Sequence, residues 1–221
     1  RPDEASGPDV AATPLETDFT AREALRTSAF WWMHLAFSCR SFVHVALTLH
    51  FIPAMQDKGF SSGTAAALLG LLGFLNIASR LGSGLLADAV SKKLLGIGQA
   101  TLMIVAMLVF IWATSLWQIV MFVVLYAVTT GGGGSLMHAM LGEYFGRKQF
   151  ATISGFGLVI AGIGSALGPA FAGFSFDATD SYDVAFYGLA LAALVATGAM
   201  LMAKRSSGRA DAGHEAPKRA D

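Results

Sequence analysis

The sequence predicts an all-α membrane protein of six transmembrane helices, arranged as a three-plus-three inverted repeat. Three observations carry that expectation. Hydrophobic residues make up 54% of the 221 residues and charged residues only 14%, with a mean hydropathy of +0.58, whereas soluble domains carry about 25% charge. Apolar runs of bilayer length, about 20 residues, recur six times, at roughly 29–53, 63–87, 94–113, 117–141, 151–174 and 184–203. The basic residues fall almost wholly in alternate connections between those runs.

Each run reads as a helix, because a membrane strand needs only about 9–11 residues. The first span opens on Phe30, Trp31 and Trp32, which with Trp112 and Trp117 mark span ends as interface anchors. It also holds the single cysteine, Cys39, which excludes an intrachain disulfide framework and a Cys-x-x-Cys metal site. The fourth span contains "TTGGGGS" at 129–135. That run would break a soluble helix, but close packing in membranes tolerates it and leaves space beside a cavity. The fifth span carries Gly155, Gly157, Gly162, Gly164, Gly168, Pro169 and Gly173, a smooth and bendable surface for close packing or a kink.

The second span ends Gly84-Leu85-Leu86-Ala87-Asp88 and the fifth ends Gly173-Phe174-Ser175-Phe176-Asp177. One Gly-x-x-x-Asp ending thus recurs on opposite sides of the membrane, as inverted three-helix repeats in transporters produce. Segments 1–27, 88–94, 142–150 and 203–221 hold twelve of the fifteen basic residues. The other connections hold Lys58 and, after the fifth span, Asp177, Asp180 and Asp183. The positive-inside bias then places both termini in the cytoplasm, in a plasma (bacterial inner) membrane. The bundle occupies 28–203, after a cytoplasmic segment 1–27 and before a tail, 204–221, whose Ala, Gly and charge predict disorder. The chain opens on Arg1 with no cleavable signal pattern and is expected to be a piece of a longer polypeptide.

The stretch "RLGSGLLADAVSKK", 80–93, concentrates charge at the border of an apolar helix. Gly82, Ser83, Gly84 and Ala87 are small enough for a neighbouring helix to approach closely. Asp88 ends the helix, and Lys92 and Lys93 occupy a short turn where they pair with carboxylates or lipid phosphates. Exposed charge pairs of this kind break and reform at small cost, so the cluster reads either as a latch or as a device that only fixes topology. "GLLADAVSKK", 84–93, resembles the Gly-x-x-x-Asp-x-x-x-[Arg/Lys]-[Arg/Lys] loop of the major facilitator superfamily, between its eighth and ninth helices. "EYFGRKQFATISGFG…GIGSALGPAFAG", 143–173, resembles that superfamily's eleventh helix and the loop before it. "TAREALRTSAFWWM", 20–33, resembles the start of the seventh helix in the monocarboxylate-porter and oxalate/formate-antiporter branches. Ala89 stands where the family usually has a basic residue and Ser91 where it usually has glycine. The resemblance implies one half of a twelve-helix fold, with the missing N-terminal six-helix half as partner and 1–27 as the end of the central loop.

Arg40 lies near the middle of the first span, and Arg80 lies eight residues before Asp88, roughly 12 Å from that helix end. A charge at the bilayer centre costs on the order of 2.5–3.5 kcal/mol on insertion scales, so such residues face a bundle interior or a wet cavity. No Asp or Glu lies inside the six predicted spans. Two guanidiniums without resident carboxylates point to an anionic visitor, since arginine offers a fork matched to a carboxylate. The alternatives are a carboxylate of the missing half, backbone carbonyls or, for Arg40, snorkelling. Helical spacing puts His44 on the Arg40 face, with Phe37, Ser41 and Thr48, and puts Asn76 on the Arg80 face. His44 and His138 can take a proton near neutral pH or serve as hydrogen-bonded structural residues; His34 and His50 lie nearer span ends. The monocarboxylate branch implies a substrate-binding arginine at the Arg80 position and an acidic residue at the Asn76 position, which asparagine cannot replace as a proton carrier. The oxalate branch implies a lysine in the eleventh helix; 151–174 has none, which favours a single carboxylate.

"GFSSG", 59–63, matches a nucleophile-elbow pattern but lies in a loop rather than a strand-to-helix turn. "GSGLLA", 82–87, matches a dinucleotide pattern but closes an apolar helix. No cluster has metal-ligand spacing, and no basic aromatic surface suits nucleic acid. The sequence therefore predicts no enzyme. It predicts half of a secondary transporter moving a small organic anion, a monocarboxylate, across the bilayer without a cofactor beyond coupling to protons or a counter-anion. The expected substrate-binding set is Arg80, Arg40, His44, Asn76 and His138. The latch is Gly84, Asp88, Lys92 and Lys93, and the packing and kink positions are Gly164, Gly168, Pro169 and Gly173. A different small solute, a non-transporting membrane sensor and, remotely, an intramembrane serine protease at Ser61 are the rival readings.

Overall fold

A computed structural model describes residues 18–204. The segment 1–17 and the tail from Arg205 lie outside the described residues. The helices are α1 (Ala21–Leu25), α2 (Ser28–Asp57), α3 (Ser62–Ala89), α4 (Lys92–Ile111), α5 (Leu116–Thr130), α6 (Gly133–Phe145), α7 (Phe150–Thr179) and α8 (Asp183–Met202), and the described residues include no strand. Six membrane-length spans result, with α5 and α6 sharing the fourth.

Local chemistry sets the helix starts. The hydroxyls of Thr27, Ser61 and Ser91 accept the N–H groups of Phe30, Thr64 and Leu94 at 3.2, 3.2 and 3.3 Å, satisfying donors that a helix start leaves without partners. Gly59 and Gly146 turn the chain at positive φ, 85° and 77°. The helices outrun the apolar cores predicted for them: α2 continues past Pro53 to Asp57, and α7 runs through Pro169 to Thr179. Hydrogen bonding persists into the polar borders, where hydropathy no longer marks it.

The fourth span departs from expectation. A single helix over 117–141 is replaced by two helices that meet at Gly131 and Gly132. Close approach explains the break: a Cβ on Gly131 would strike Ser79, one on Gly132 would strike Ser83, and one on Gly133 would strike the Arg40 guanidinium. Gly134 faces open space.

In the bundle, α2 packs on α7, α8 and α3, α4 packs on α8 and α5, and α3 packs on α5. Gly164 and Gly168 let α7 lie directly on the backbone carbonyls of Ser38 and Phe42, whereas a Cβ on Gly173 would be at ordinary contact, 3.9 Å from His50. The apolar interior divides in two. One cluster centres on Phe51, Phe110, Phe122 and Phe186, and the other on Phe30, Met33, Met140 and Phe145. The broken span and Arg40 lie in sequence between the two clusters on their helices, and Gln99 lies on α4 beside Ala100, at the border of the second.

Candidate functional site

The end of α5 organises the polar centre. Its last carbonyls have no intrahelical partners, and the helix dipole makes that end negative. Side chains from two neighbouring helices answer. From α2, an Nη2–H of Arg40 donates to the Thr129 carbonyl. From α3, the Arg80 Nε–H donates to the Gly131 carbonyl at 3.2 Å and the Ser79 hydroxyl donates to the Val128 carbonyl at 3.2 Å. The Thr130 hydroxyl donates back to Asn76 Oδ1 at 2.5 Å. One turn earlier, His44 Nδ1 lies 3.3 Å from the Tyr126 hydroxyl, with the two rings stacked.

Arg40, His44, Asn76 and Arg80 therefore surround one stretch, 126–131. Arg40 is half-buried and Arg80 exposed. Among the described residues neither forms an ion pair; the two ion pairs are Lys58–Asp183 and Lys92–Glu143. His138 lies apart from this group. Six residues past Gly132 on α6, its Nδ1–H donates to the Gly134 carbonyl at 2.8 Å, and its ring faces Phe150 in a cavity shared with Arg147. Sequence spacing did not reveal Tyr126, Thr130, Ser79 or Gln99. The Thr-Thr pair directly before the glycine run was the available signal.

At the end holding α1, Lys92 Nζ meets Glu143 Oε2 at 3.0 Å and Lys93 Nζ donates to the Leu201 carbonyl at 3.0 Å, at the close of α8. Asp88 belongs to α3, but its side chain lies outside the described set. The small-residue face of α3 is corrected in part: only Ser83 is buried against a neighbour, whereas Cβ atoms on Gly82 and Gly84 would meet nothing within 4 Å. Asp18 Oδ1 accepts the N–H groups of Arg147 and Lys148, Gln149 Oε1 accepts that of Ala21, and Phe19 N–H donates to the Phe145 carbonyl.

At the opposite end, Asp57 Oδ2 accepts from the Tyr182 N–H at 3.0 Å. His50 Nε2–H donates to the Pro169 carbonyl, so Nδ1 accepts from the Tyr182 hydroxyl, both at 3.1 Å. Tyr182 lies outside the spans, and burial, followed by the nearby Asp57 and Asp177 carboxylates, raises its pKa. Ser61 caps α3 and sits beside Thr64 rather than a catalytic base.

Six membrane-length spans, one of them broken and doubly capped, define a polytopic helical membrane protein. Residues 82–220 match the family model described as Major Facilitator Superfamily, and the chain belongs to that superfamily. It is a membrane transporter for a small solute, all-helical and consistent with half of the superfamily's fold. No curated protein matches the chain.

Proposed function

We propose that this chain is the C-terminal half of a twelve-helix secondary transporter in the monocarboxylate-porter or oxalate/formate-antiporter branch, that it moves a small organic monocarboxylate, and that both of its ends face the cytoplasm. One observation carries the reading: two guanidiniums, Arg40 and Arg80, converge on carbonyls two residues apart with no carboxylate paired to either among the described residues. Carbonyl dipoles offset only part of two full charges, and each guanidinium has five N–H donors. A carboxylate entering there meets a fork on Arg80 and a second cation on Arg40. The start of α6 lies at the same break, and its first N–H groups favour an anion. Broken helices near the midplane serve this purpose in other transporters.

Arg80 binds the carboxylate, Arg40 assists, and His44 and Asn76 line the path. His138 lies further along α6 and serves the same cavity only as the halves rock. Lys92 and Lys93, with Gly84 and Asp88, latch the cytoplasmic end, and protons or a counter-anion supply the driving force. The test is uptake of a panel of labelled acids by the full-length protein and its Arg80→Ala variant. Loss of uptake with unchanged membrane insertion is expected. Unchanged carboxylate uptake would overturn the assignment.

A further inference from the structure

Gln99 is a buried polar side chain that the anion reading leaves unused. It lies on α4, is 5% exposed, and donates through Nε2 to the Ser83 hydroxyl at 3.3 Å. Its Oε1 is buried without a partner. A buried acceptor left unpaired costs about 1–3 kcal/mol, so something polar belongs beside it. A cavity of about 20 Å³ lies there, enough for one water molecule. Arg40 and Gln99 are its only charged or hydrogen-bonding side chains; Phe37, Met103, Leu136 and Met200 are among the apolar rest.

We infer that Gln99 is a positioning residue for Arg40 and acts through one water held between them. The water accepts an Arg40 N–H and donates to Gln99 Oε1. Gln99 is itself fixed by Ser83, whose side chain lies against Gly132 at the break. The chain of contacts ties α4 and α3 to the guanidinium. Arg40 is thereby held in one pose while it meets the substrate, so this inference rests on the anion reading above.

Two measurements on the full-length protein test it. The first is a double-mutant cycle in melting midpoint between Gln99→Glu and Arg40→Met, which needs no substrate. A carboxylate one water away pairs with the guanidinium, so Gln99→Glu is expected to raise the midpoint with Arg40 present and lower it without. Additive effects would overturn the inference. The second is uptake: Gln99→Leu is expected to raise KM about tenfold, the loss of roughly one hydrogen bond to a charged group, with maximal rate preserved. Uptake by Gln99→Glu relative to the unmodified protein is expected to fall as pH rises from about 5 to 8, while that carboxylate ionises. An unchanged KM, or a ratio flat in pH, would overturn it. An unmodified protein that takes up none of the acids ends the anion reading instead, and the melting cycle alone then decides the place of Gln99.

Discussion

Gly133 lies where the Cβ of any other residue would occupy the space of the Arg40 guanidinium. Gly133→Ala is therefore expected to push Arg40 off the Thr129 carbonyl, losing a hydrogen bond from a charged group, about 1.5–3 kcal/mol, and abolishing uptake. Gly134→Ala, one residue on, places its methyl in open space and is expected to leave both unchanged. Paired melting and uptake assays decide it.

Arg80 uses its Nε–H on Gly131, leaving the terminal fork for a ligand. Lysine keeps the charge but offers a compact ammonium in place of that planar fork. Arg80→Lys is expected to retain insertion and raise KM for carboxylates about tenfold or more, near 1.4 kcal/mol. Concentration-dependent uptake measures this.

The α2–α7 seam allows a sharper contrast. A methyl on Gly168 would meet the Phe42 carbonyl, which is backbone and cannot swing aside, whereas one on Gly162 meets nothing. Gly168→Ala is expected to cost about 1–3 kcal/mol, and Gly162→Ala to be neutral or slightly stabilising. Thermal melts in detergent compare them.

The Lys92–Glu143 pair spans 3.0 Å with both side chains partly exposed. Pairs of this kind contribute about 0.2–1 kcal/mol, so Glu143→Gln is expected to shift melting little while changing transport rate. The exchange Lys92→Glu with Glu143→Lys is expected to restore that rate, since a latch needs the attraction and not its polarity. A large melting loss in Glu143→Gln with normal transport would contradict this role.

Tyr182 has its pKa raised above 10.0 by burial, then by Asp57 and Asp177. The folded state holds this proton more tightly than the unfolded one. The contribution is thus fully present below the ordinary tyrosine value and is lost as pH rises through the higher folded value. Alkaline melting curves are expected to steepen in the unmodified protein and to flatten in Tyr182→Phe.

Much of this architecture is legible in the chain. Six apolar runs locate six spans, and Arg40 and Arg80 stand out because lipid tolerates so few charges. Helical spacing pairs Arg40 with His44 and Asn76 with Arg80, and these four do surround one stretch of α5. The break itself is not legible. A glycine run in a membrane span signals close approach without saying what approaches, and Ser79, Ser83 and Arg40 are distant in sequence. His138 shows the same limit: periodicity assigns a face but not a depth, and this ring reaches Phe150 instead of the break. Gln99 is a neutral amide inside an apolar run, and only its neighbours reveal what its carbonyl faces.

The grip of Asp18, Phe19 and Ala21 on residues 145–149 has a mechanical consequence. Residues 18–21 are fastened to the turn that leads into α7, and the short helix α1 joins them to α2. Any displacement of the foot of α7 would therefore be felt first at residues 18–21, with only α1 between them and the start of α2.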